Sequence, residues 1–115
     1  MTKVAIYALS GEPISLVHAF LNALDMREKG YDVAVILEGP ATKAAADMAE
    51  EGTDFYELYS QVSQSGLIDC VCRACSAKMG VLERIEKLGL SWGTDMKGHP
   101  SLARYLDEGY RIIPF

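Results

Sequence analysis

Cys70, Cys72 and Cys75 are the only thiols of the chain, and all three fall in the short stretch Asp69-Cys70-Val71-Cys72-Arg73-Ala74-Cys75. Thiolates accept sulfane sulfur, exchange disulfides or ligate soft metals. Leu67 to Val71 reads as a short buried strand and Arg73 to Leu88 as a helix, so the thiols sit where extended chain turns into helix. In an open α/β sheet that edge is where ligands and chemistry collect. The first helix amides are unpaired and the helix dipole is positive there, which favours a thiolate at Cys72, with Arg73 adding a second positive charge. The pattern therefore predicts a reactive-sulfur site with an ionised, reachable Cys72 and with Cys75 as a resolving thiol. Alternation along the strand puts Cys70 on the same face as Cys72. It is either a core thiol beneath Cys72 or a third member of the site.

Other chemistries fit the same residues less well. A Cys-x-Cys-x-x-Cys cluster could hold a metal with His18 or His99 as fourth ligand, or the thiols could simply pack as small hydrophobes. The chain would then be a binding or interaction subunit. Zinc ligands usually come as two separated pairs, however, and here there is one patch, so no resident metal is expected. Cys72-Arg73-Ala74-Cys75 lacks the tryptophan before and the proline between its cysteines that thioredoxin-like oxidoreductases carry. There is no Gly-x-Gly-x-x-Gly and no phosphate loop, so no nucleotide or flavin cofactor is expected. His18 reads as a surface residue of an amphipathic helix, and His99, before Pro100, as a cap or surface residue. Ser10 and Glu12 read as helix-cap residues that could also line the cleft beside Cys72. Trp92, Tyr56 and Tyr59 read as core or interface aromatics.

The elements that must position these residues follow from hydrophobic patterning. Lys3 to Leu9 and Tyr31 to Leu37 are nearly continuous apolar runs, the mark of parallel strands covered on both faces. Between them Pro13 opens a helix whose stripe of Leu16, Val17, Phe20, Leu21 and Leu24 runs to about Met26, closed by Lys29 and Gly30. A strand, helix and strand joined this way form a right-handed βαβ unit. Short helices are expected over 44–51 and 54–64. Gly80 interrupts the helix after the cysteines, and its cost of about 1 kcal/mol suggests close approach of a neighbouring element. A loop over 89–95 with room for a short strand, a helix over 100–108 and a strand over 110–115 complete the order β-α-β-α-β-α-α-β. The fold class is α/β: three layers, α/β/α, around a small, mostly parallel sheet of about five strands.

One domain spanning 1–115 suits the length, and a chain that is 50% hydrophobic and 23% charged can bury one core. A net charge of −5 argues against nucleic acid or an anionic membrane as partner. No apolar run is long enough to span a bilayer, and Met1 to Leu9 does not form a signal peptide, so a cytoplasmic protein is expected. Three clustered cysteines do not make a secreted disulfide framework.

The segment Cys72-Arg73-Ala74-Cys75-Ser76-Ala77-Lys78-Met79-Gly80, entered from an apolar strand, resembles the DsrE/DsrF-like family of sulfur-relay proteins. Members carry a cysteine at the end of a central strand and a short helix that reaches a glycine eight positions on, as Cys72 and Gly80 do. Some place a second cysteine three positions after the first, as Cys75 is placed. The opening strand and the closing Tyr110-Arg111-Ile112-Ile113-Pro114-Phe115 agree, whereas Cys70 departs from the pattern. The resemblance implies a flavodoxin-like or related layered α/β fold. It implies assembly as homo-oligomers (dimer, trimer or hexamer) or as heteromers with sister subunits. It also implies that Cys72 takes sulfane sulfur from a donor protein as a persulfide and passes it to an acceptor protein.

Overall fold

A computed structural model describes residues 1–115. The apolar runs form β1 (Lys3–Ala8) and β2 (Asp32–Leu37), joined by α1 (Pro13–Glu28). Then come α2 (Ala41–Met48), α3 (Tyr56–Gln64), β3 (Ile68–Cys72), α4 (Arg73–Lys78), α5 (Leu82–Lys87), β4 (Trp92–Gly93), α6 (Leu102–Asp107) and β5 (Arg111–Pro114). The five strands form one parallel sheet in the order β4-β3-β2-β1-β5. The loop after the cysteine helices does contain a strand, of two residues.

Strand order explains how the helices are distributed. From β1 to β4 each crossover steps the same way across the sheet, so right-handed connections put their helices on one face. Only the return from β4 to β5 runs the other way, which puts α6 alone on the second face. The core divides accordingly. Val4, Ile6, Val35, Leu37 and Val71 pack with Leu16, Phe20, Val62 and Ile85 of α1, α3 and α5. Ala5, Ala34, Ile36 and Cys70 form a smaller cluster with Tyr105 of α6. The three expected layers are present, and one of them is thin.

Two details correct the sequence reading. The helix after the cysteines is two helices, broken at Gly80, where φ is +76° and no atom lies near enough to crowd a Cβ. Gly80 is needed for its left-handed backbone at the end of α4, not for close approach. In β3 the register shifts between Val35 and Ile36: Val35 faces Ile68 while Ile36 faces Cys70, so Asp69 is an extra residue in the strand. This bulge turns Asp69 and Cys70 toward Tyr105 and Val71 toward the larger core.

Candidate functional site at the carboxyl edge of the central strands

Three strand ends meet at one edge. Cys72 is the last residue of β3 and the N-cap of α4, and its sulfur accepts a hydrogen bond from the Cys75 N–H at 3.3 Å. Ser76 Oγ donates to the Cys72 carbonyl at 2.8 Å, which fixes the turn. Glu38 follows β2 directly and is 9% exposed. His99 arrives on the loop between β4 and α6. That loop is fastened by paired backbone hydrogen bonds between Met96 and His99, and by an Ala74 N–H donated to the Gly98 carbonyl.

All of these groups converge on the Nδ1 of His99. It lies 3.0 Å from Cys72 Sγ, 3.3 Å from Glu38 Oε1 and 3.6 Å from Cys75 Sγ. Each thiol can donate to this nitrogen or accept from it, depending on the tautomer, and the Cys72 S–H can instead donate to the Gly98 carbonyl at 3.6 Å. The hydroxyl of Tyr7, from β1, stands against Glu38; burial and this carboxylate push its ionisation upward.

The expectation of an ionised, exposed Cys72 is not met. Its side chain is fully buried, and desolvation together with the neighbouring Cys75 thiol pushes it up to about 12. The Cys75 N–H at the helix start acts to lower it but does not offset burial. Arg73 does not help, since its guanidinium stacks over the Trp92 ring. None of the surface clefts is lined by Cys72, Cys75, Glu38 or His99. Cys75 is the half-exposed thiol of the pair.

Cys70 has a separate environment. Tyr105 Oη donates to Asp69, so its single proton is committed, and the Cys70 S–H donates to Tyr105 Oη across 3.3 Å. Burial raises the Cys70 thiol, and burial with Asp69 and Cys70 raises Tyr105 far more. Of the three sequence candidates, Cys72 and Cys75 come together and Cys70 stays in the core beneath α6. His18 is exposed on α1, and Ser10 accepts the Glu12 N–H in the turn before α1. Tyr59 is buried against Phe20, while Trp92 remains half-buried.

Sequence reasoning missed Glu38 and Tyr7 and gave His99 a minor place. The available signal was a carboxylate directly after the uninterrupted apolar run Val33 to Leu37, at the same sheet edge as Cys72. Nothing local identifies His99, which reaches the site from 27 residues away.

The chain belongs to the DsrE/DsrF-like family, whose model matches residues 3–115. It is 39% identical to an uncharacterized protein of Methanocaldococcus jannaschii over 99 residues, covering 85% of this chain and 78% of the relative. A short uncharacterized protein of Archaeoglobus fulgidus is 46% identical over 37 residues, 32% of this chain and all of the relative. Membership of this family suggests a sulfur-relay role. No helix is long and apolar enough to cross a membrane.

Proposed function

We propose that the chain is a persulfide carrier, in which the Cys72–Cys75 pair accepts sulfane sulfur from a donor protein and hands it to an acceptor protein. The observation that supports this most is two thiols within 3.0 and 3.6 Å of one imidazole nitrogen. His99 Nδ1 can take the proton from whichever thiol attacks. Cys75, being half-exposed, is the thiol that a donor meets first.

The transfer balances without an external oxidant. The Cys75 thiolate attacks the outer sulfur of a donor persulfide. A new S–S bond forms at Cys75, the donor's own S–S bond breaks, and the donor leaves as a thiolate that regains a proton. Cys72 then takes the same sulfur from Cys75 by the same reaction and holds it away from water. Delivery is the reverse exchange with an acceptor thiol. Donor and acceptor proteins are the partners that this reading requires, and assembly into a homo-oligomer or with sister subunits belongs to the same proposal.

Loading reduced protein with inorganic polysulfide and taking the intact mass tests the reading. Wild type and Cys70→Ala gain one sulfur atom per chain, Cys75→Ser loads slowly, and the double variant Cys72→Ser, Cys75→Ser gains none. Loading of that double variant at the wild-type level would falsify the assignment.

A further inference from the structure

The same edge has a second capacity. We propose that Glu38, Cys72, Cys75 and His99 form a four-ligand site for a divalent transition metal, with zinc as the ion that the donor set suits best. One donor atom from each residue lies within 4.8 Å of all the others. Zinc bonds of about 2.0–2.3 Å in a tetrahedron require ligand-to-ligand edges of about 3.3–3.8 Å. The three edges at His99 Nδ1 are 3.0, 3.3 and 3.6 Å, near that size, and the other three are no longer than 4.8 Å, so the donors need to close by no more than about 1.5 Å around an ion.

The surroundings support a cation. Glu38 is buried, with its Oε1 3.3 Å from the Nδ1 of His99 and the hydroxyl of Tyr7 against its carboxylate. Two thiol sulfurs and a carboxylate oxygen stand around that nitrogen, each able to ligate a metal once its proton is lost. A central divalent ion satisfies all four donors at once, and binding releases the two thiol protons to solvent. Two sulfurs and an imidazole exclude magnesium and calcium, which take oxygen ligands. The donors are held by separate, already ordered elements: Glu38 behind β2, Cys72 at the end of β3, Cys75 within α4 and His99 on the β4–α6 loop. Half-exposed Cys75 and His99 leave an entry path. Cys70, although a thiol, is outside the cage.

The metal site stands independently of the carrier reading. One consequence does rest on that reading: metal and sulfane sulfur compete for the same two thiols, so bound zinc blocks loading and a chelator restores it.

Reduced, chelator-treated full-length protein titrated with cobalt(II) and then zinc(II) tests the site. The expected result is one equivalent of cobalt, with thiolate-to-cobalt charge-transfer and tetrahedral ligand-field absorption, displaced by zinc. Glu38→Gln weakens zinc binding about tenfold and His99→Ala more than that. The double variant Cys72→Ser, Cys75→Ser abolishes it, and Cys70→Ala leaves it intact. Both His99 and Glu38 sit at the sheet edge, and circular dichroism of these variants checks the fold. Absence of stoichiometric binding in wild type, or unchanged affinity in His99→Ala, overturns the proposal. Sulfur loading measured on the same samples separates the two ideas. Loading without zinc binding removes the metal site and leaves the carrier, and zinc binding without loading does the reverse.

Discussion

Cys70 and Cys72 are two residues apart on one strand, both buried, and they meet opposite kinds of surroundings. Cys70 is closed in by an apolar cluster and one phenol that is already committed to Asp69. Each polar group there has a partner, so the region is finished as structure. Cys72 lies where four chain segments bring two thiols and a carboxylate to within 3.6 Å of one imidazole nitrogen. Burial is common to both thiols and does not distinguish them. What differs is the chemistry of the neighbours: an apolar cluster and one phenol around Cys70, and a second thiol, a carboxylate and an imidazole around Cys72.

Native-state alkylation should give the largest contrast. Cys75 is half-exposed, whereas Cys70 reacts only after the core beneath α6 opens. An opening free energy of about 4 kcal/mol makes Cys70 react about a thousandfold more slowly than Cys75. Cys72, covered by the 94–99 loop, should lie between the two. Iodoacetamide labelling followed by peptide mass spectrometry reads the order, and Cys70 labelling as fast as Cys75 would remove the distinction between the two regions.

Metal loading should come next in size. Zinc at 100 times its dissociation constant raises the unfolding free energy by about 2.7 kcal/mol through mass action. Thermal melts with and without chelator show this in wild type and Cys70→Ala, and at most about 1.4 kcal/mol in His99→Ala.

Tyr105→Phe acts on the other region. It leaves Asp69 and Cys70 without their shared hydroxyl, at a cost of about 1–2 kcal/mol, and should leave sulfur loading and zinc binding unchanged. It also alters the alkaline limb of stability. Burial, with Asp69 and Cys70 alongside, raises the Tyr105 ionisation above its usual 10.0. The native state therefore keeps this proton where the unfolded chain has lost it. Its stabilising contribution is complete below that value and declines above it, by up to about 1.4 kcal/mol per pH unit. Urea melts of wild type and Tyr105→Phe should converge as pH rises from 10 upward. The smallest effect belongs to Cys70→Ala, about 1 kcal/mol from lost packing, again with both site activities intact.

Much of the fold was legible because it depends on local pattern. Val4 to Ala8 and Val33 to Leu37 are buried parallel strands, as their uninterrupted apolar character requires. The stripe of α1 faces the sheet through Leu16, Val17 and Phe20. The break at Gly80 was visible, and its cause, a positive φ, was not. The bulge at Asp69 has no local signature, since Ile68-Asp69-Cys70 alternates as a regular strand would. In the site, the pairing of Cys72 with Cys75 was readable from spacing on a helix start. Glu38 and His99 were not, because strand order and the folding back of the β4–α6 loop bring them there. The ionisation of Cys72 was misjudged for a physical reason: a helix start favours a thiolate, but its hydrogen bond does not outweigh the desolvation of a buried sulfur.

Locating the transferred sulfur within the chain tests the central claim most directly. After polysulfide treatment and blocking of free thiols, trypsin leaves Cys70 and Cys72 on one peptide ending at Arg73, and Cys75 on the next, Ala74 to Lys78. Fragment masses should place the added sulfur on Cys75 and Cys72, with Cys70 carrying none. Sulfur found on Cys70, or spread evenly over all three residues, would contradict the division of this strand into a finished core thiol and a reactive pair.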